Sequence, residues 1–80
     1  MTRVQVLYFA SLRDAAGVDS EFVDATAADL RALYEDLQQR HRFVLPVSQL
    51  RVAVDGTFAR WDEVPREGSE VVFIPPVSGG

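Results

Sequence analysis

The chain of 80 residues contains no cysteine. That absence removes a disulfide framework, a thiolate nucleophile and a thiolate metal site together, and an unstapled small chain points to the cytoplasm. Histidine and tryptophan occur once each. No segment approaches the ~18 consecutive apolar residues of a membrane span, and the opening MTRVQVLYFASLR is too short and too polar for a signal peptide. A soluble protein without a membrane partner is expected. Twelve acidic residues against eight basic ones give a net charge of −4, and the basic residues are scattered along the chain. That distribution argues against nucleic acid as a partner.

What is present reads as one globular domain, with 48% hydrophobic and 25% charged residues and no low-complexity tract. Residues 3–9, RVQVLYF, alternate with period two, so Val4, Val6 and Tyr8 share one face and Gln5, Leu7 and Phe9 the other. RDAAGVDS then signals a turn through Gly17, Asp19 and Ser20, and residues 21–25 form a return strand. Leu30, Leu33, Tyr34 and Leu37 recur at helical spacing, which predicts one amphipathic helix over about residues 27–41 with Thr26 as its N-cap. Pro46 interrupts the connection that follows. Residues 50–54 alternate again, Asp55-Gly56 is a strong hairpin turn, and TFAR returns. After REGSE, the stretch VVFI (71–74) is apolar throughout, as expected of a central strand covered on both faces. The economical assembly is α+β: a mixed sheet with parallel N- and C-terminal strands at its centre and one main helix across one face. That is a β-grasp.

Catalytic side chains are hard to find. His41 stands alone near the helix end, where a structural or surface role is the expectation. Asp62 and Glu63 are neighbours in a loop, without the contrasting environments an acid–base pair requires. The five serines lack the context of a nucleophile elbow, and the glycines at 17, 56 and 68 stand singly rather than in a phosphate-binding loop. No metal site is expected.

Attention falls on the last residues, VVFIPPVSGG. Pro75 and Pro76 cannot continue a ladder and hold φ near the extended value, so the chain should leave the sheet as a stiff segment. Gly79 and Gly80 would give a backbone thin enough for a channel that any Cβ would block. We therefore expect a β-grasp domain over residues 1–76 and a flexible tail over 77–80. The reactive group so delivered is the carboxylate of Gly80, inert as an acyl donor until a partner activates it. A second absence then gains interest, because all eight basic residues are arginine and none is lysine. Codon usage in a GC-rich genome accounts for this readily. A chain whose own terminus becomes an acyl electrophile is also safer without amines.

Taken together, VVFIPPVSGG, VQVLYFASLRDAAG, the VAVDG hairpin and REGSEV resemble the family of molybdopterin synthase small subunits, which are ubiquitin-like sulfur carriers. The resemblance runs the full length. Its most specific part is Phe73, Pro75, Pro76, Val77, Gly79 and Gly80, supported by Phe9, Ala10 and Arg13. It implies that an adenylating, E1-like enzyme activates Gly80 with ATP, the chain binding no cofactor itself, and that a sulfur donor protein converts the terminus to a thiocarboxylate. The tail, Pro75 to Gly79 with Ser78 within it, would then enter the large subunit of molybdopterin synthase. There the sulfur would attack precursor Z, a cyclic pyranopterin monophosphate. The chain would be an enzyme subunit only, with the catalytic side chains in its partner and two copies of each in the complex. The family's partner-binding positions map to Phe9, Arg13, Phe58, Phe73 and Ile74. Two departures from the commonest pattern are Asp55 in place of Asn and Ile74 in place of an aromatic residue. Alternatives are a carrier for thiamine, cysteine or tRNA thiolation, a ubiquitin-like protein modifier, and a non-transferring interaction domain.

Overall fold

A computed structural model describes residues 2–76. The elements run β1 (Arg3–Tyr8), α1 (Ala10–Ala16), β2 (Ser20–Asp24), α2 (Leu30–His41), a 3₁₀ turn (Val47–Gln49), β3 (Arg51–Val54), β4 (Thr57–Ala59) and β5 (Glu70–Ile74). The five strands lie in the order β2-β1-β5-β3-β4. β1 and β5 pair in parallel, with Tyr8 beside Phe73, and the other neighbours pair antiparallel. The parallel central pair, flanked by two hairpins and crossed by α2, makes this a β-grasp fold, as the sequence pattern implies.

One face of the sheet forms the core. Val4, Val6 and Tyr8 from β1, Val52 from β3, and Val71 and Phe73 from β5 are all buried there. Leu30, Leu33, Tyr34 and Leu37 of α2 cover them, so the helical spacing read from the sequence identifies the packed face correctly. Aromatic rings fill the middle. Phe73 meets Tyr34 edge-on at 5.1 Å and lies parallel to Trp61 at 5.9 Å, while Tyr34 stacks on Phe43 at 5.8 Å. The Tyr34 hydroxyl is satisfied by donation to the Leu45 carbonyl at 2.6 Å.

Three expectations require correction. The segment after β1 is a seven-residue helix, α1, closed by Gly17 in the left-handed region (φ 78°), where the sequence suggests only a turn. Ala, Leu and Arg are good helix formers, and Leu12 gains a place in the core. Second, α2 begins three residues late. Its N-cap is Asp29, which accepts the Ala32 amide at 2.8 Å, rather than Thr26. The amides of Leu30 and Arg31 are satisfied from outside, by the carbonyls of Glu63 and Trp61 at 2.9 and 3.0 Å. That tertiary capping favours the later start. Third, β5 is covered on one face only: Val71 and Phe73 are buried, but Val72 and Ile74 are half-buried on the side that α2 does not reach.

Candidate functional site: the uncovered sheet face and the root of the tail

The register fixes what the uncovered face displays. Leu7 pairs with Val72, Val72 with Ala53 and Ala53 with Phe58, so these four side chains form one cross-strand row over β1, β5, β3 and β4. Phe58, on the edge strand, is 65% exposed. Its ring is approached by the Arg51 guanidinium at 5.7 Å. Toward the far edge, Phe22 on β2 is 61% exposed and carries the Arg3 guanidinium at 5.1 Å. The face that α2 leaves uncovered thus carries an apolar row, with an arginine over an exposed aromatic ring toward either edge.

The chain leaves the sheet beside this row, at one end of the central strand β5. Because β1 and β5 are parallel, Tyr8 and Ile74 finish at the same end of the sheet, and Arg51 begins β3 in register with Ile74. A groove beside Pro75 and Pro76 is lined by Ser48, Leu50, Arg51, Phe58 and Ile74. On the other side of the same end, Leu7, Phe9, Arg13, Asp19 and Ser20 line a second groove. Phe9 reaches it because Ala10 adopts a positive φ of 51°, a sharp turn that leaves Phe9 half exposed between β1 and α1. Arg13 projects from α1 with its guanidinium 3.8 Å from Asp19, both well exposed. A pair so open to water contributes little to stability.

Of the residues singled out from sequence, Phe58 and Ile74 thus line the groove beside Pro75 and Pro76, and Phe9 and Arg13 line the second groove at the same end of the sheet. Phe73 does not join them. It is fully buried beneath Tyr34 and Trp61, because the alternation that turns Ile74 outward turns Phe73 into the core. Its assignment as a partner-contacting residue is withdrawn. Val77, Ser78, Gly79 and Gly80, and with them the boundary between domain and tail, lie outside the described residues. Leu7, Val72, Ala53 and Arg51 belong to the face and were not singled out. Their signal is the alternation that turns Leu7 to the outer face of β1, carried across the sheet by pairing, which periodicity within one strand does not reveal.

A separate polar cluster closes the core at the same end. The Tyr8 hydroxyl donates to Glu21 Oε2 at 2.5 Å, and His41 Nε2 lies 2.6 Å from that same oxygen. Burial by itself would raise the Glu21 pKa, but the hydrogen bonds from Tyr8 and His41, with the positive charges of His41 and Arg40, outweigh it and hold the carboxyl below its ordinary value. The same cluster, led by burial, pushes the Tyr8 phenol far up. Its residues are partly enclosed and tie β1, β2 and the end of α2 together, so His41 is structural. The sequence signal for it was Glu21 on the inward-facing register of β2, where Val23 is buried. Asp62 and Glu63 serve the loop before β5: Asp62 pairs with Arg60 at 3.0 Å, and Glu63 accepts the Arg60 amide at 2.7 Å. Among the described residues, no group of carboxylates and histidines is arranged to hold a metal ion. No helix there is long and apolar enough to cross a membrane.

Kinship decides the reading of this uncovered face and of the prolines that follow β5. The ThiS family model matches residues 6–80. The chain belongs to the ThiS family. It is 34% identical over 80 residues to the molybdopterin synthase sulfur carrier subunit of Escherichia coli K12, covering 96% of this chain and 99% of that one. Among solved structures, this ThiS-family chain resembles the putative molybdopterin converting factor subunit 1 of Pyrococcus furiosus, with a TM-score of 0.82, 33% identity, and coverage of 96% and 100%. It shares its fold with a chain of the complex of subunits 1 and 2 of molybdopterin-converting factor from Helicobacter pylori, at a TM-score of 0.68, 21% identity, and coverage of 99% and 100%.

Proposed function

We propose that this chain is the sulfur carrier subunit of a molybdopterin synthase, working in the cytoplasm. The observation that carries the proposal is the placement of Pro75 and Pro76 at the rim of the uncovered row, where a partner docked on Leu7, Val72 and Phe58 would receive whatever follows Pro76. The full-length likeness to the Escherichia coli carrier subunit supports the same reading.

In this account the Gly80 carboxylate attacks the α-phosphorus of ATP on an adenylating enzyme, and pyrophosphate leaves. Sulfide-level sulfur released by a donor protein then attacks the acyl carbon, the acyl–phosphate C–O bond breaks, AMP leaves with the electron pair, and the terminus becomes a thiocarboxylate. A large synthase subunit covers the apolar row and takes the tail, Pro75 to Gly80, into its own active site. There the sulfur attacks a carbon of the precursor pyranopterin, precursor Z, water then cleaves the acyl C–S bond so that the carrier leaves with its Gly80 carboxylate restored, and two carriers in succession supply the two sulfurs of the dithiolene. The domain contributes the docking face, with Phe9, Arg13, Phe58 and Ile74 at its tail end. Catalytic side chains come from the large subunit, in an assembly of two copies of each, and ATP is consumed by the activating enzyme rather than held by this chain.

The test is conversion by mass. The purified chain incubated with ATP, an adenylating enzyme of the family and a sulfur donor is expected to gain the mass of one oxygen replaced by sulfur, and the loaded chain with a large subunit is expected to convert precursor to molybdopterin. Loading without that conversion would move the chain to another thiolation pathway. Isopeptide-linked conjugates on a denaturing gel would favour a protein modifier.

A further inference from the structure

Among the described residues other than glycine, three take a positive φ: Ala10 (51°), Arg42 (60°) and Asp55 (51°). Two of them have an ordinary reason. Arg42 closes α2 as its left-handed C-cap, and Asp55 shares the β3–β4 turn with Gly56. Ala10 has neither. It opens α1, where a flanking residue is normally extended and the helical residues right-handed. Its methyl is exposed, so no burial of its own offsets the unfavourable conformation. What holds it lies on either side. Tyr8 is buried, its amide donating to the Asp19 carbonyl at 2.8 Å and its hydroxyl to Glu21, and Leu12 is buried in the core. Between them Phe9 is still extended, at φ −125° and ψ 152°, while its carbonyl already accepts the amides of Leu12 at 3.1 Å and Arg13 at 3.4 Å. Ala10 is the residue in which the strand direction becomes the helix direction.

We propose that Ala10 is a positioning residue for docking: its left-handed turn sets Phe9 at the bend and holds the ring in the groove shared with Leu7, Arg13, Asp19 and Ser20. The proposal rests on the carrier reading and adds to it a residue that acts through Phe9. Phe9 is 48% exposed, and Leu7 belongs both to this groove and to the apolar row. A partner covering the row at Leu7 therefore meets the Phe9 ring beside it. A ring fixed before the encounter loses less freedom on binding than one that swings. The identity of residue 10 sets how well it is fixed. Alanine tolerates the left-handed turn, glycine takes it freely, and a β-branched residue is a severe outlier there. Ala10→Val would therefore drive φ negative, and with Tyr8 and Leu12 anchored in the core the displacement falls on Phe9.

The experiment is a double-mutant cycle on the full chain: wild type, Ala10→Val, Phe9→Ala and the two combined, with Kd for a large synthase subunit of the family from titration calorimetry and Tm from circular dichroism. Ala10→Val is expected to weaken binding by about tenfold or more alone, and by less than about twofold in the Phe9→Ala background. Ala10→Gly is expected to recover most of the affinity that Ala10→Val loses. Equal losses in both backgrounds, which a merely structural role would give, overturn the proposal, as does a wild-type Kd for Ala10→Val. A readout on the wild-type chain alone covers the case in which Ala10→Val does not fold. In its nuclear Overhauser spectrum the intraresidue amide–Hα cross-peak of Ala10 is expected to match those of Arg42 and Asp55, the other residues with a Cβ at positive φ, and to exceed those of Leu12 and Arg13 within α1. A cross-peak as weak as those of Leu12 and Arg13 overturns the proposal. A wild-type chain that neither binds the large subunit nor is loaded with sulfur by ATP, an adenylating enzyme and a donor contradicts the carrier reading itself, and this inference falls with it.

Discussion

Replacing Phe73 and Phe58 with alanine in turn separates the two faces of the sheet. Phe73 is fully buried, in contact with Tyr34 at 5.1 Å and Trp61 at 5.9 Å. Removing its ring loses the transfer free energy of a complete phenyl group and leaves a cavity between two aromatic partners, a change of about 3–5 kcal/mol. A domain of this length has a total stability of roughly 4–12 kcal/mol, so Phe73→Ala should lower Tm by more than about 12 °C or leave the chain unfolded at ambient temperature. Phe58 is 65% exposed. Only about a third of its transfer free energy, under ~1 kcal/mol, is engaged in the isolated fold, together with an exposed Arg51 stack worth roughly 0.5 kcal/mol. The larger part remains for a partner to cover. Phe58→Ala should thus shift Tm by only a few degrees while weakening binding of a large synthase subunit by about 1–2 kcal/mol, some 5- to 30-fold in Kd. Thermal unfolding by circular dichroism and titration calorimetry read the two effects separately. If Phe73→Ala melts near wild type while Phe58→Ala collapses the fold, the inward and outward assignments are reversed and the docking face is wrong.

Other consequences are more compact. Val72→Asp, at the centre of the apolar row, should abolish binding to the large subunit while leaving a cooperatively folded domain, checked by the same calorimetry and melt. Asp29→Ala should destabilise by about 1 kcal/mol through loss of the α2 cap, whereas Thr26→Ala stays within about 0.5 kcal/mol; comparable losses in urea titrations would restore Thr26 as the cap. Glu21 has a folded pKa below its ordinary value, so its contribution to stability is present above the unfolded pKa and is lost as pH falls through the folded one. Glu21→Gln should therefore cost about 1–3 kcal/mol at pH 7 and progressively less in acid, and a constant gap in urea stability from pH 7 down to pH 3 would contradict the assignment.

The sequence carried the fold because its strongest signals were periodic. The i, i+3, i+4, i+7 run from Leu30 to Leu37 named the buried helix face, and Asp55-Gly56 named the β3–β4 turn, where both residues take positive φ. Where partners lay far apart in the chain, local reading failed. The start of α2 is decided by carbonyls of Trp61 and Glu63, some 30 residues downstream, and the Tyr8–Glu21–His41 cluster joins three elements across the core. The apolar run VVFI was read as doubly covered because alternation cannot be seen when both registers are hydrophobic; only the absence of a second layer leaves Val72 and Ile74 open. For the site, the structure sets Phe9, Arg13, Phe58 and Ile74 at the end of the sheet where β5 gives way to Pro75 and Pro76, Phe73 lies one step of the pleat away in the core, and Val77 to Gly80 lie outside the described residues.

The most direct test of the central claim is the intact mass of this chain after incubation with ATP, a family adenylating enzyme and a sulfur donor, beside a variant lacking Gly80. Replacement of one oxygen by sulfur in the full chain and no change in the shortened one is the expected result. An unaltered mass for the full chain, under conditions that load the Escherichia coli carrier subunit, would contradict the account.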